Sequence, residues 1–359
     1  MALINKGQIV AFFAFDLGDE IDLEQLSRLT AAVPAPPLSR KKQTPPYLQY
    51  TRLPLVLHLG SAPELFSSVG TLQATAFDFG AVSLTYRWTA PADLSLDGLP
   101  QLSRTLYEQN LAFQAGAAIE QLLARIKSAI ARPRLAGLVE DYYLFVIEEL
   151  DRACSAEELL TEHRATLAQA LRFETAPLSP SQQAEAISQS ISYYQNDLVL
   201  LDWNAAIIYD RDYEDTLSVL ELLNVELLEA RYIDARLDTR IGEYSKLIRQ
   251  RPEWPFPFRT PYKQTIQELA ELRIESSLLS ERVDNSLKLI GDLYLARLHT
   301  AAAQRFYLYE WERIISRKLE IISEFYRLLT DRVRTAQSQT LELIIILLIL
   351  VELVLALFR

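Results

Sequence analysis

The spacing of apolar positions changes along this chain, and each change predicts a different element. Residues 8–15 read QIVAFFAF, a short continuous apolar run that predicts a buried strand. Acids then precede Leu23, Leu26 and Leu29, as at a helix start. Residues 47–59 contain LPLVLHL, a second strand. Val82, Leu84, Tyr86 and Trp88 alternate with Ser83, Thr85 and Arg87, which predicts a strand with one polar face. Asp78-Phe79-Gly80 supplies a turn before it, so 71–88 reads as a hairpin. From about residue 99 to 130 the spacing lengthens to three and four. Leu102, Leu106, Phe113, Ile119, Leu122, Leu123 and Ile126 predict a helix that Pro133 ends.

Residues 141–150 and 197–209 return to strand-length apolar runs, and the second reads as the last strand of the sheet. Ser155 with Glu158, and Ser179 before Pro180, are helix-start patterns. Four acids in 210–215 suit the positive end of a long helix running to about residue 250. Proline marks two loops. Residues 31–46 hold five prolines around Arg40, Lys41 and Lys42, and residues 251–262 hold four. Beyond Pro261 there is no proline and one glycine, Gly291. Leu272, Leu279, Val283, Ile290 and Leu293 form one apolar seam there. Leu308, Trp311, Ile315, Ile322, Phe325 and Leu329 form a second. Both are coiled-coil spacings, carried either by one rod or by a hairpin bent near 299–304.

The last stretch, 341–358, holds sixteen apolar residues and two glutamates, Glu342 and Glu352. Eighteen helical residues span roughly 27 Å, close to the hydrocarbon thickness of a bilayer. Leu341, Glu342, Ile344, Ile345, Ile346 and Glu352 therefore mark a C-terminal membrane anchor. Glu352 is predicted to lie near the far interface or to face a partner helix. Arg332 and Arg334 precede the span and Arg359 follows it, which puts the body on the cytoplasmic side, as in a tail-anchored protein.

Net charge is −11, which argues against broad nucleic-acid binding and leaves no sequence-specific contact expected. The acidity sits in the body, since residues 262–338 carry twelve basic and eleven acidic side chains. A lone cysteine, Cys154, excludes an internal disulfide framework. Catalytic signatures are missing. His58, His163 and His299 stand at no metal-ligand spacing, and neither a phosphate loop nor a nucleophile elbow occurs. His58, inside LVLHL, reads as a core histidine. Glu148, Glu149 and Asp151 gather at a strand end. Asp202, Trp203 and Asn204 interrupt an apolar strand, either as a bulge or strand edge or as a small polar pocket.

The C-terminal pattern of heptad helix, Leu341-Glu342, isoleucine-rich span and Glu352 resembles the required-for-meiotic-nuclear-division family. Its usual tryptophan after the first glutamate is Leu343 here. The resemblance implies a membrane-tethered, non-catalytic scaffold that forms homo-oligomers and supports translation.

The expected fold is an α+β body with a mixed sheet flanked by helices, then a long helical coiled-coil stem and one C-terminal transmembrane helix. Its divisions are a body over 1–250, a Pro-rich linker over 251–262, a stem over 263–338 and an anchor over 339–359. The expected function is a tail-anchored scaffold, not an enzyme and without cofactor or metal. It would self-associate and tether a partner protein at the bacterial inner membrane or an equivalent organelle membrane. The alternative is a membrane-anchored small-molecule sensor or enzyme with a pocket in the body.

Overall fold

A computed structural model describes residues 2–36, 53–249, 266–270 and 293–357. The chain opens with β1 (Ile4–Asp16), β2 (Glu20–Ile21), α1 (Leu23–Leu29), β3 (Val33–Pro34), β4 (Leu55–Leu65), β5 (Ser68–Ala76) and β6 (Ala81–Thr89). It continues through α2 (Leu99–Glu108), α3 (Leu111–Ile126), β7 (Ile130–Ala131), β8 (Glu140–Leu150), α4 (Ala156–Glu162), α5 (Arg164–Leu171) and α6 (Pro180–Ala186). Then come β9 (Gln189–Ile191), β10 (Leu198–Leu201), β11 (Ala205–Tyr209), α7 (Glu214–Arg249), α8 (Leu293–Arg305) and α9 (Leu308–Leu357).

Among the described residues, nine strands form one mixed sheet in the order β3-β4-β5-β6-β1-β8-β11-β10-β9. The contiguous apolar run of β1 takes the middle, antiparallel to both β6 and β8, because a strand buried on both faces needs no polar side. Ile9, Ala11 and Phe13 point to one face, opposite Trp88, Tyr86 and Leu84 of β6. Phe13 meets Tyr86 edge-on at 5.7 Å and Tyr143 at 6.1 Å. This face shares a core with Leu102 and Leu106 of α2, Leu111, Ile119 and Leu122 of α3, and Leu167 and Leu171 of α5. The other face, with Val10 and Phe12, is tied to α7 by polar contacts. Thr85 donates to Glu221 at 2.9 Å, Arg87 pairs with Glu214 at 2.7 Å, and the Asn224 amide donates to the Glu140 carbonyl at 3.1 Å. β8 and β11 are parallel, and everything between them is the crossover.

Several sequence expectations shift. The helix of 99–130 is two helices, because Asn110 adopts φ 49°, a left-handed conformation asparagine tolerates. Phe113 is then 77% exposed rather than on the apolar face. The second strand runs on through Leu65 into a hairpin whose turn residues, Phe66 and Ser67, both have positive φ. That turn carries neither glycine nor asparagine, so it has no sequence signal. The residues 197–209 are not one strand but the antiparallel hairpin β10–β11, turned at 202–204.

β3 pairs with β4 only at Leu55 and Val56. Further along, β4 carries bulges between His58 and Gly60 and between Ser61 and Glu64, with Pro63 inside the second. These devices blunt an edge strand against pairing with another chain.

Gly80 closes the β5–β6 turn at φ +104°, and a Cβ there would lie 2.0 Å from the Gly18 carbonyl oxygen. A Gly80→Ala variant should lose about 2–4 kcal/mol, from the strained φ and the backbone clash together. Chemical denaturation measures the loss, and a change below about 0.5 kcal/mol would show that the turn yields freely.

Contacts divide the chain into two units. The first comprises Met1–Tyr232 and Arg282–Tyr309, and the second Ile233–Glu281 and Glu310–Arg359. Within the first, α8 ends at Arg305, and Tyr307 at φ 56° breaks the helix before α9 begins. Within the second, Ile315, Ile322 and Leu329 are buried while Trp311 and Phe325 are half-buried. The Lys318 ammonium lies 2.6 Å from both Asp234 and Asp238 of α7. Three positions of the second predicted seam are thus buried within one chain, on a helix that Lys318 ties to α7. Leu308 is buried, in the first unit. Of the other seam, Leu272, Leu279, Val283 and Ile290 lie outside the described residues.

Candidate functional site

The β10–β11 turn places Asp202 against two arginines from distant parts of the first unit. Asp202 is 1% exposed. Its Oδ1 accepts from the Trp203 backbone N–H at 2.8 Å and from Arg305 Nε at 2.9 Å, and the Arg172 guanidinium contacts its other oxygen. Its backbone is also held. The Asp202 N–H donates to the Ala205 carbonyl at 2.9 Å, and the Tyr142 hydroxyl donates to the Asp202 carbonyl at 3.0 Å. Glu185 at the end of α6 supplies the second anion, 3.3 Å from Arg172 and 3.8 Å from Arg305, and accepts from Gln182 at 3.1 Å. Those arginines hold the Glu185 carboxyl below its usual range.

Two carboxylates and two guanidiniums balance in charge, and each Asp202 oxygen lies against an arginine of the same chain, although Oδ2 meets Arg172 as an ion pair without a hydrogen bond. A balanced cluster of this kind can hold its three elements in place without any ligand. Aromatic side chains frame it. Phe306 packs on Tyr142 at 4.9 Å, and the half-exposed Trp203 and Tyr307 rings lie 5.5 Å apart. Phe173 and Tyr307, one and two residues after the two arginines, both hold positive φ. Bulky residues in that region are uncommon, and here they turn the chain so that Arg172 and Arg305 meet one carboxylate. Asn204 is exposed and contributes its carbonyl to the Tyr143 N–H at 3.0 Å. Asp202 was legible in the sequence as an acid in an apolar run. Its arginines, far away in sequence, were not.

Other predicted chemistry disperses. Glu148 pairs with Lys6 at 2.6 Å, Glu149 with Arg211 at 3.3 Å, and Asp151 accepts from the Leu3 N–H at 3.0 Å, so the three acids form no common site. His58 is exposed rather than in the core, because β4 alternates Leu55 and Leu57 inward; its Nδ1 meets the Gln73 amide at 3.2 Å. His299 is buried 3.7 Å from the buried Glu226. Among the described residues, no group of three His, Cys, Asp or Glu converges as a metal site. A groove of about 990 Å³ lies between β2, α1 and β7, lined by Glu20, Asp22, Arg28 and Ile130 among others, and includes none of the Asp202 cluster.

Sequence reasoning missed a second buried polar group, where β1 ends. Asp16 is 1% exposed and pairs with Arg134 at 3.1 Å; Arg134 also contacts Asp19 and lies 5.1 Å over the Tyr232 ring. Glu229 of α7, also 1% exposed, has no hydrogen-bond partner for its Oε1 among the described residues. Burial, and then the neighbouring Asp16, push its carboxyl well up. Beside them Glu140 contacts Arg231, yet burial outweighs that attraction and raises the carboxyl from 4.5 to about 7. The spacing of Asp16 and Glu229 on their elements gave no sign of this pairing.

The anchor residues Leu341, Glu342, Ile344, Ile345, Ile346 and Glu352 all lie on α9 and are exposed. Among the described residues, one helix is long and apolar enough to cross a membrane, and the span-length window in it has no buried residue.

Residues 6–216 match the family described as "Uncharacterized protein MJ0711, N-terminal domain". The chain belongs to that family. The match runs from inside β1 through β11 to the start of α7. A relative, "Uncharacterized protein MJ0711" of Methanocaldococcus jannaschii, is 26% identical over 242 residues, covering 67% of this chain and 73% of its own. No solved structure matches. The MJ0711 family overturns the resemblance to the required-for-meiotic-nuclear-division family. That resemblance rested on an amphipathic helix leading into an isoleucine-rich span, a pattern that many helices entering a membrane produce, whereas the family match lies in the sheet body. The translation role it implied goes with it.

Proposed function

We propose that this protein is a membrane-tethered, non-catalytic scaffold of the MJ0711 family, which self-associates and presents its mixed-sheet body to a partner protein beside the bilayer. The observation that supports it is the bare apolar end of α9. Leu341, Ile346 and Leu355 are 62%, 63% and 66% exposed, in a stretch with sixteen apolar side chains. Leaving so many in water would cost on the order of 20 kcal/mol or more, which a bilayer removes. Arg332 and Arg334 before the span favour a body on the cytoplasmic side. Coiled-coil pairing between copies belongs to the same reading. The Asp202 charge is already matched by Arg172 and Arg305, so the tether is preferred over a sensor or enzyme centred there.

Alkaline extraction of membranes carrying the full-length chain tests the reading. The protein should stay in the membrane pellet, and a variant lacking residues 341–359 should move to the supernatant. Release of the full-length chain would sink the tether, as would retention of the truncated one.

A further inference from the structure

Glu352 lies inside the apolar stretch, with the eight apolar residues 344–351 before it and 353–357 after it. It is exposed, and no side chain among the described residues pairs with it. Hydrocarbon offers a carboxyl nothing to bond, so an ionisable residue at such depth needs a partner supplied by protein. The described residues contain no second span to supply one. Spacing adds direction. Glu342, Ile345, Ile349 and Glu352 follow one another at three, four and three, which places both glutamates and two β-branched residues on a single stripe of α9.

We propose that α9 pairs within the bilayer with α9 of a second copy along the Glu342–Ile345–Ile349–Glu352 stripe, one Glu352 carboxyl bonding to the other. The occupant follows from the membrane itself. It holds every copy in one orientation and at one depth, so the group that a second copy brings to Glu352 is its own Glu352. Beta-branched Ile345 and Ile349, already restricted in rotamer, lose little freedom at the contact. The inference rests on the membrane reading above and adds its self-association surface.

Oxidative cross-linking of the full-length chain in its membrane tests it, with single cysteines on the stripe and opposite to it. Buried Cys154 stays in place and the parent chain is the control. Ile345→Cys and Ile349→Cys should give dimers, while Leu347→Cys and Val351→Cys, about half a turn away, should give few. Glu352→Gln, which still donates and accepts, should retain association. Glu352→Leu should weaken it by roughly 3- to 30-fold, the range for one hydrogen bond between membrane helices. Equal cross-linking at all four positions overturns the pairing, and so does a Glu352→Leu chain that associates like Glu352→Gln. Alkaline extraction of the parent separates the two readings. Release would overturn the membrane reading and this one together, whereas retention without a preferred face overturns the stripe alone.

Discussion

Replacing Asp202 with alanine is expected to destabilise the folded body by about 3–5 kcal/mol, the cost of leaving a buried ionic partner uncompensated. The exposures decide the size. The Asp202 side chain is 1% exposed and that of Arg305 11%, so neither charge is relieved by water when the other is removed. Arg172, at 29%, can partly turn outward. A thermal midpoint about 10 °C lower should follow for a body of this size. Asp202→Asn should cost less, because the amide oxygen can still accept from the Trp203 N–H. Pairing Asp202→Ala with Arg305→Ala should cost less than the sum of the two single changes, since the double variant strands no charge. Thermal unfolding of the full chain in mild detergent gives all four values. A loss under about 1 kcal/mol for Asp202→Ala would mean that the cluster opens to solvent, and would revive the pocket reading.

The second large effect is on pH. Asp16, Glu140, Asp141, Glu221 and Glu229 all have carboxyls raised above their usual values, in each case first by burial. A carboxyl whose folded value exceeds its unfolded one takes up a proton on folding, so stability falls as pH rises through the interval between the two. For Glu140 that interval runs from 4.5 to about 7. Its contribution is present below the interval and lost above it, about 3 kcal/mol for a shift of this size. The protein should therefore be more stable near pH 5.5 than at pH 8, the reverse of a protein held together by exposed ion pairs. Glu229→Gln should raise the midpoint at pH 8 and flatten the profile, because the neutral amide needs no proton. A midpoint that climbs steadily from pH 5.5 to 8 would contradict the assignment.

The sheet was readable wherever periodicity alone sets the answer. β6 alternates, β1 and β8 each contain a continuous apolar run, and each became a strand in the expected place. Helix starts at Ser155 and Ser179 were readable because capping is local, and both serines accept the expected backbone N–H. Turns without glycine were not. Phe66-Ser67 closes a hairpin that no residue type announces, and Asp202-Trp203-Asn204 turned an apparent strand into two. Long-range partners were invisible too. Heptad spacing at Ile315, Ile322 and Leu329 promised a seam without saying whether the other helix belonged to the same chain. The Lys318 contacts with Asp234 and Asp238 tie the seam's helix to α7 of the same chain. Glu229 looked like one more acid on a long helix. Its burial beside Asp16 depends on which face of α7 meets the sheet, something a helix with polar residues on several faces does not declare.

β1 is made first and sits in the middle. Its neighbour β6 follows within the first ninety residues, but β8 begins only at Glu140. At about 5–20 residues per second the ribosome needs roughly 6–25 s to span the interval between β1 and β8. During that time the Gln8–Phe15 run, rich in β-branched and aromatic side chains and free of charge and proline, can pair on one side only. Such a segment is a template for neighbouring nascent chains. Production of this protein should thus be limited by what happens during translation rather than by the stability of the finished sheet, and slower synthesis or a chaperone that shields β1 should raise the soluble yield.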